Sequence, residues 1–239
     1  MAKPQSVRRV RGRKQVQRSL VLVLLLLLLS DHSMEEEKAL KRMAEAFREL
    51  ANAINQCPEG EEAALQLRQF SHACSLVSPL FRCLGIAFKF AELDYVAKVD
   101  DLMQASSSIL TLPVMMDGDI EANCVRKAGS HTRNLLRVKR GVDMIKVLFQ
   151  HMISSEGNSL KDAASKAYAQ VFAPYHGWAI RKAVGAGMYT LPTKAQLLSK
   201  LNEDEASART QMQNYVSSTG PVVAYIDKLY MSRGLGIDW

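Results

Sequence analysis

The sequence predicts an all-α fold of about eight helices, and three observations carry that expectation. From Met34 onward, apolar residues recur at three- and four-residue intervals, the period of one helix face. No sustained period-2 alternation is present, and no Asn-Gly or Asp-Gly hairpin sits between strand-like runs. Prolines and short polar stretches interrupt the pattern at spacings that suit ordinary helices, and no repeat of solenoid length occurs. With 239 residues, 48% of them hydrophobic and 23% charged, the chain can bury the core of one sizeable domain or two small ones.

The stretch from Met34 to Gln56 opens the fold. Leu40, Met43, Phe47, Leu50 and Ile54 share one side of a helix, and Glu35 to Glu37 complement its N-terminus. An apolar segment from Leu65 to Val77 follows, punctuated by Pro79. A long pattern then runs from Leu80 and frays at Ser106 to Ser108, and Pro113 and Gly118 mark the next break. The spacing predicts an arginine-bearing helix from about Ile120 to Ile153, with Gly129 as an interruption. After the loop "SSEGNS", Ser159 and Asp162 read as a helix start, and Pro174 closes that helix. His176 to Tyr189 reads as helical up to Pro192. Thr193 and Gln196 then cap a helix through Leu201, and the last helix runs from Asp204 toward Tyr230 with a break near Gly220–Pro221.

Residues 1–33 stand apart. They hold seven of the basic residues and one acid, Asp31, for a net of +6; the chain as a whole carries +7, so residues 34–239 carry only +1. The basicity belongs to a tail, which removes most of the support for a nucleic-acid partner. Ten apolar residues, Leu20 to Leu29, follow the basic cluster as in a signal peptide, too few to span a bilayer, which needs about twenty. The cleavage site is poor, and Met34 makes a sensible first residue, so a targeting segment and an over-extended start both remain open. The domain proper is residues 34–239 on either reading.

Enzyme signatures are missing: the chain has no GxSxG, no HExxH and no phosphate-binding Gly-rich loop, so no catalytic residue, metal or cofactor is expected. The cysteines, Cys57, Cys74, Cys83 and Cys124, form no CxxC and read as free thiols of a reducing compartment.

The segment "HTRNLLRVKRG", His131 to Gly141, is the unusual one. On a 3.6-residue period Arg133, Arg137 and Arg140 fall within roughly 60° of one another, and Arg126 lands in the same arc. Leu135, Leu136, Val138, Val142, Ile145 and Leu148 occupy much of the rest of the circumference, the mark of a buried helix. Clustered guanidiniums are costly to bury unpaired, so they pair with acids on a neighbouring helix, face water, or meet an anionic ligand. Asp94 and Lys98, four apart, make a second ionic spot on a helix whose Ile86, Phe88, Phe90 and Leu93 read as buried. Two largely apolar helices with ionic spots suggest a polar recess opening into an apolar interior, suited to a ligand with an anionic head and a hydrocarbon tail.

Three long motifs, "QFSHACSLVSPLFRCLGIAFKFAELDYVAKVDDL", "CVRKAGSHTRNLLRVKRGVDMIKVLF" and "QVFAPYHGWAIRKAVGAGMYTLPT", closely resemble the glycolipid transfer protein superfamily. The resemblance covers residues 34–239 and is strongest to the plant accelerated-cell-death branch that carries ceramide-1-phosphate. It implies a two-layer helical sandwich around an apolar lipid pocket, acting in the cytoplasm and peripherally at membranes. Its partners would be a sphingolipid, a transient membrane contact and regulatory proteins. Carried over by motif, Asp94 would accept from the ceramide amide and hydroxyl, and His176 would donate to the amide carbonyl. Lys98, Arg133 and Arg137 would hold the headgroup phosphate, and Trp178 would touch the membrane.

Glycosphingolipid-binding members have tryptophan where this chain has Arg137, and asparagine where it has Lys98. Two cations suit a phosphomonoester, with a charge of about −1.5 to −2, better than a sugar. The resemblance therefore implies ceramide-1-phosphate transfer, with glycolipid transfer and lipid sensing without transfer as alternatives.

Overall fold

The computed structural model describes residues 39–58, 60–155 and 157–239. Expectations about residues 1–33 and about Glu35 to Glu37 lie outside them. Among the described residues the fold is all-α: ten helices, joined by three short 3-10 turns, against the eight or so expected. They are α1 (Ala39–Asn55), α2 (Leu67–Ser75), α3 (Ser78–Leu84), α4 (Lys89–Ala105), α5 (Leu112–Glu121), α6 (His131–Ser154), α7 (Leu160–Val171), α8 (Trp178–Gly187), α9 (Lys194–Lys200) and α10 (Glu205–Ser232).

The two longest helices, α6 and α10, organise the rest. α10 packs along α1 and α6, and α6 packs in turn on α4, α5 and α7. Phe47 of α1 and Phe149 of α6 meet Tyr215 of α10 edge to face, at ring-centroid distances of 5.1 and 5.5 Å. Such pairs add about 0.5–1.5 kcal/mol each beyond their buried area. The Tyr215 hydroxyl donates to the Val142 carbonyl at 3.3 Å, so its one polar atom is satisfied. A buried ion pair, Lys139 Nζ to Asp227 Oδ1 at 2.6 Å, ties α6 to α10 a second time.

The contact between α4 and α6 is set by a glycine. A Cβ on Gly141 would lie 2.6 Å from Cε2 of Tyr95, inside any allowed contact. Without it, the Tyr95 ring presses against the α6 backbone while its hydroxyl donates to the Cys74 carbonyl at 3.0 Å. Further along, Asp101 of α4 accepts from Asn134 Nδ2 at 2.8 Å and lies 2.9 Å from His131 Nδ1. The two anchors run antiparallel, 95 against 141 and 101 against 131–134, so Lys98 comes level with Arg137.

Three boundaries differ from the sequence expectation. The arginine-bearing helix starts at His131 rather than Ile120, because α5 ends at Glu121 and a turn intervenes. Asn123 and Gly129 hold positive φ (48° and 84°), and Ser130 is the cap, accepting from Arg133 N–H at 3.1 Å. The pattern from Leu80 is divided at Gly85, whose φ of 98° ends α3. Finally, α10 continues through Gly220–Pro221 without a break. Proline inside a helix costs about 3 kcal/mol, but Ser218, Thr219, Val222 and Val223 around it are buried, and that packing outweighs the lost hydrogen bond. The four cysteines are free: Cys74 and Cys83 are buried, Cys57 and Cys124 half-buried.

Gly141→Ala is expected to destabilise the fold by about 1–3 kcal/mol, because the Tyr95 ring must leave its place. Chemical denaturation reads this directly, and an unchanged midpoint would mean that α4 does not depend on the contact.

Candidate functional site

Asp94 and Lys98 stand one turn apart on α4. Lys98 Nζ donates to Asp94 Oδ1 and, at 3.3 Å, to the Asp94 carbonyl. The Asp94 side chain remains 71% exposed, so the ion pair leaves carboxylate surface free for a ligand. Arg133 and Arg137 stand one turn apart on α6, both half-buried. Among the described residues neither guanidinium is paired with a carboxylate, and Arg137 Nε is fully buried with no hydrogen-bond partner. A buried donor in that condition costs on the order of 1–3 kcal/mol.

His176, in the turn between α7 and α8, lies near Arg137. Its Nδ1 lies 2.9 Å from the Tyr168 hydroxyl, and its ring stacks on Phe172 at 5.5 Å. Burial, then the nearby charges of Arg137 and Arg140, hold the imidazole below its ordinary value of 6.5. It is therefore mostly neutral at pH 7 and adds no further positive charge to the cluster. Nothing in the spacing of Tyr168, Phe172 and His176 signalled that support from the sequence.

The remaining two arginines of the predicted arc have other work. Arg126 lies outside α6, in the turn before it, so helical periodicity did not apply to it. Its Nη2 donates to the Leu235 carbonyl at 3.2 Å. Arg140, only 3% exposed, gives its Nη2 to the carbonyls of Ile237 and Trp239 at 2.7 and 2.8 Å.

The helix that carries Arg133 is anchored by an acid the sequence did not single out. Asp119 at the end of α5 accepts from Thr132 N–H at 2.7 Å and from the Ser130 hydroxyl at 2.8 Å. Burial pushes its carboxyl up, but these bonds, with one from Cys124 Sγ, outweigh that and hold it below its ordinary value.

The expectation that Ile86, Phe90 and Leu93 are buried is wrong. They are 87%, 86% and 54% exposed: α4 turns Tyr95, Val99 and Leu102 toward the core and Phe90 and Leu93 away from it, and Ile86 lies in the exposed 3-10 turn before the helix. Helix α8 buries none of its residues either; Trp178 is 69% exposed, and Ile180 and Tyr189 are exposed with it. The end of α8 abuts the Ile86–Phe88 turn: a Cβ on Gly187 would lie 3.7 Å from Ala87 Cβ. Exposed apolar side chains thus cluster on two adjoining elements. Two open clefts lie elsewhere, one of about 570 Å³ beside Arg126 and Leu235, the other of about 680 Å³ beside Leu84 and Pro192, and neither includes Asp94, Arg133 or Arg137. Among the described residues no helix is long and apolar enough to cross a membrane, and no group of side chains could hold a metal ion.

The glycolipid transfer protein (GLTP) family profile matches residues 65–203. The chain belongs to that family. Over 206 residues it is 67% identical to accelerated cell death 11 of Arabidopsis thaliana, covering 86% of this chain and 98% of that one. It is 25% identical over 218 residues to a ceramide-1-phosphate transfer protein of Danio rerio, covering 84% and 98%. A crystal structure of a mutant of Arabidopsis accelerated-cell-death 11 complexed with ceramide-1-phosphate superposes with a TM-score of 0.81. It is 66% identical, and the match covers 84% of this chain and 98% of that one. Family members of this kind are lipid transfer proteins, and the helices α2 to α9 that frame the candidate site lie within the matched residues.

Asp119→Asn is expected to lose about 1–3 kcal/mol of stability at pH 7. The carboxyl is depressed in the folded state, so its contribution is present above the ordinary value of 3.8 and lost as pH falls through the depressed one. Thermal unfolding of the parent and the variant should therefore differ at pH 7 and converge below pH 3.8; a gap independent of pH would leave only a packing role for Asp119.

Proposed function

We propose that this chain carries ceramide-1-phosphate between membranes without chemical change. The observation that supports this most is Arg137: a half-buried guanidinium with an unpartnered buried Nε, one turn from the unpaired Arg133 and level with Lys98. Two forks and an ammonium suit the oxygens of a phosphomonoester. The complex of the 66% identical relative with ceramide-1-phosphate supports the same ligand. Glycosphingolipid transfer is disfavoured, since a sugar offers those cations no countercharge.

The other roles follow from local chemistry. Asp94, with exposed carboxylate surface, accepts from the ceramide amide and hydroxyl. On this reading the Tyr168 hydroxyl, 2.9 Å away, donates to His176 Nδ1. That leaves Nε2–H as the donor, which suits the amide carbonyl. Trp178 and the apolar side chains beside it insert at the membrane interface during loading, where an indole is at home.

Extracting the lipid exposes its chains, at about 0.8 kcal/mol per methylene or on the order of 12 kcal/mol for sixteen carbons. Only an apolar protein interior offsets that, so the chains supply most of the affinity and the headgroup contacts supply selectivity. No bond is made or broken, and neither nucleotide nor metal takes part. We extend the proposal to sphingolipid homeostasis and cell-death control with regulatory protein partners; the relative's name supports the cell-death part. Action in the cytoplasm, peripherally at membranes, fits all of these roles.

The experiment is transfer of fluorescent ceramide-1-phosphate or galactosylceramide from donor to acceptor vesicles by the full chain. Movement of the phosphate lipid alone is expected. Arg133→Ala and Arg137→Ala should each slow it about ten- to a hundred-fold, the loss of a charge-assisted contact of about 1.5–3 kcal/mol, with circular dichroism unchanged. Asp94→Ala should impair any ceramide-based ligand. Unchanged transfer by both arginine variants would remove the phosphate clamp.

Trp178→Ala is expected to slow transfer by weakening vesicle adsorption, read by sedimentation with vesicles, while leaving headgroup selectivity as it was. Equal adsorption of the parent and the variant would move the docking surface elsewhere.

A further inference from the structure

Residues 235–239 are tied down from two sides. Arg126 donates to the Leu235 carbonyl, and its guanidinium carbon lies 5.1 Å from the centre of the Trp239 ring. Arg140 reaches the carbonyls of Ile237 and Trp239. The Trp239 indole N–H turns back to the Leu235 and Gly236 carbonyls at 3.0 and 3.1 Å, and its ring lies 6.3 Å from that of Tyr230. Tyr230 in turn donates to the Thr132 carbonyl in the first turn of α6. The segment is a compact strap tied to Arg140 of α6 and, through Tyr230, to the first turn of that helix.

Arg140 has a second face. Its guanidinium carbon stands 3.6 Å from the centre of the Tyr175 ring. Tyr175 immediately precedes His176, in the turn that brings His176 to Arg137. One planar group therefore bonds the strap through its edge and stacks on the turn through its face. A guanidinium can do both at once; an ammonium cannot. The three-residue turn Ala173–Tyr175 buries none of its residues, so burial alone does not hold it. The stack on Arg140 and the Tyr168–His176 bond do.

We propose that the strap formed by residues 235–239 braces the headgroup site, with Arg140 as the positioning residue that transmits its hold to Tyr175 and His176. This rests on the reading of His176 as a lipid contact. Arg140 is 3% exposed and spends its Nη2 on two carbonyls, so its part here is to hold the turn rather than to present a free fork to a ligand. It contributes its charge to the site and holds the turn in place.

The test uses the full chain with Trp239→Ala, which is remote from the lipid contacts, and Arg140→Lys, which keeps the charge but loses the planar group. Two quantities are read: transfer of fluorescent ceramide-1-phosphate between phosphatidylcholine vesicles, and titration of the His176 imidazole by NMR. The charged and titratable groups around that ring are Arg137 and Arg140 on α6 and Tyr168 on α7. Both variants should transfer several-fold more slowly, and His176 should titrate closer to its ordinary 6.5 as the turn swings away from Arg137. A strap that served stability alone would lower the unfolding midpoint and leave the titration where it was, and that result overturns the proposal, as does unimpaired transfer by both variants. Failure of the parent chain to move the lipid would instead overturn the headgroup reading; the His176 titration reports on the brace either way.

Discussion

Tyr95 lies so close to the backbone of α6 that a methyl group at Gly141 would overlap its ring, and this approach governs how α4 meets α6. Asp94 precedes Tyr95 in the chain and Lys98 follows it by less than one turn, so both depend on where that ring rests. The same stretch of α6 is held from the other side, since Val142 accepts from Tyr215 of α10. The proposed headgroup site is thus mounted on two helices whose approach is fixed by close packing. Its side chains are polar, but the spacing between the helices that bear them is a hydrophobic and steric matter. That division suits a site that must hold a charged group without being reshaped by it.

Crowding cations on one helix carries an electrostatic cost, and the fold distributes it. Lys98 is balanced by Asp94, Lys139 by Asp227, and Arg140 and Arg126 by backbone carbonyls. The His176 imidazole stays mostly neutral because burial and the arginines depress it. The positive charge left without a local partner is concentrated at Arg133 and Arg137. A phosphate bound there, as proposed, would supply the missing countercharge. Truncating Arg137 should on this view cost binding more than stability, since the folded state gains little from its guanidinium.

The fold class was legible because helical periodicity and end signals agree along the domain. Ser159 and Thr193 cap their helices as their spacing predicts, and Gln196 completes a reciprocal box with Thr193. The boundaries that were misread are those where tertiary contacts override a local signal. Pro221 stays helical under its buried neighbours, and the helix start at Ser130 depends on Asp119, whose role no short-range pattern reveals. Of the arginine arc, periodicity could place Arg133, Arg137 and Arg140 together but could not say which of them already has partners. Arg140 is satisfied by carbonyls almost a hundred residues away in the chain, which no helical wheel contains.

The misreading of Ile86, Phe90 and Leu93 has a different origin. Apolar residues near an ionic pair read as core because contiguous exposed apolar side chains are disfavoured in water, and for most soluble surfaces that inference holds. Here α4 has two apolar sides. One, with Tyr95, Val99 and Leu102, faces the core; the other, with Phe90 and Leu93, joins Ile86 of the preceding turn, which adjoins the largely exposed α8. A surface of that kind is a liability in solution and an asset at a bilayer, where the same side chains are transferred to an apolar phase. Because it borders the turn that carries His176, contact with a membrane and recognition of a headgroup fall on connected elements. A lipid leaving the bilayer at that surface would meet the cationic face while its chains were still in apolar surroundings. Its charge and its tails would then never have to cross water separately.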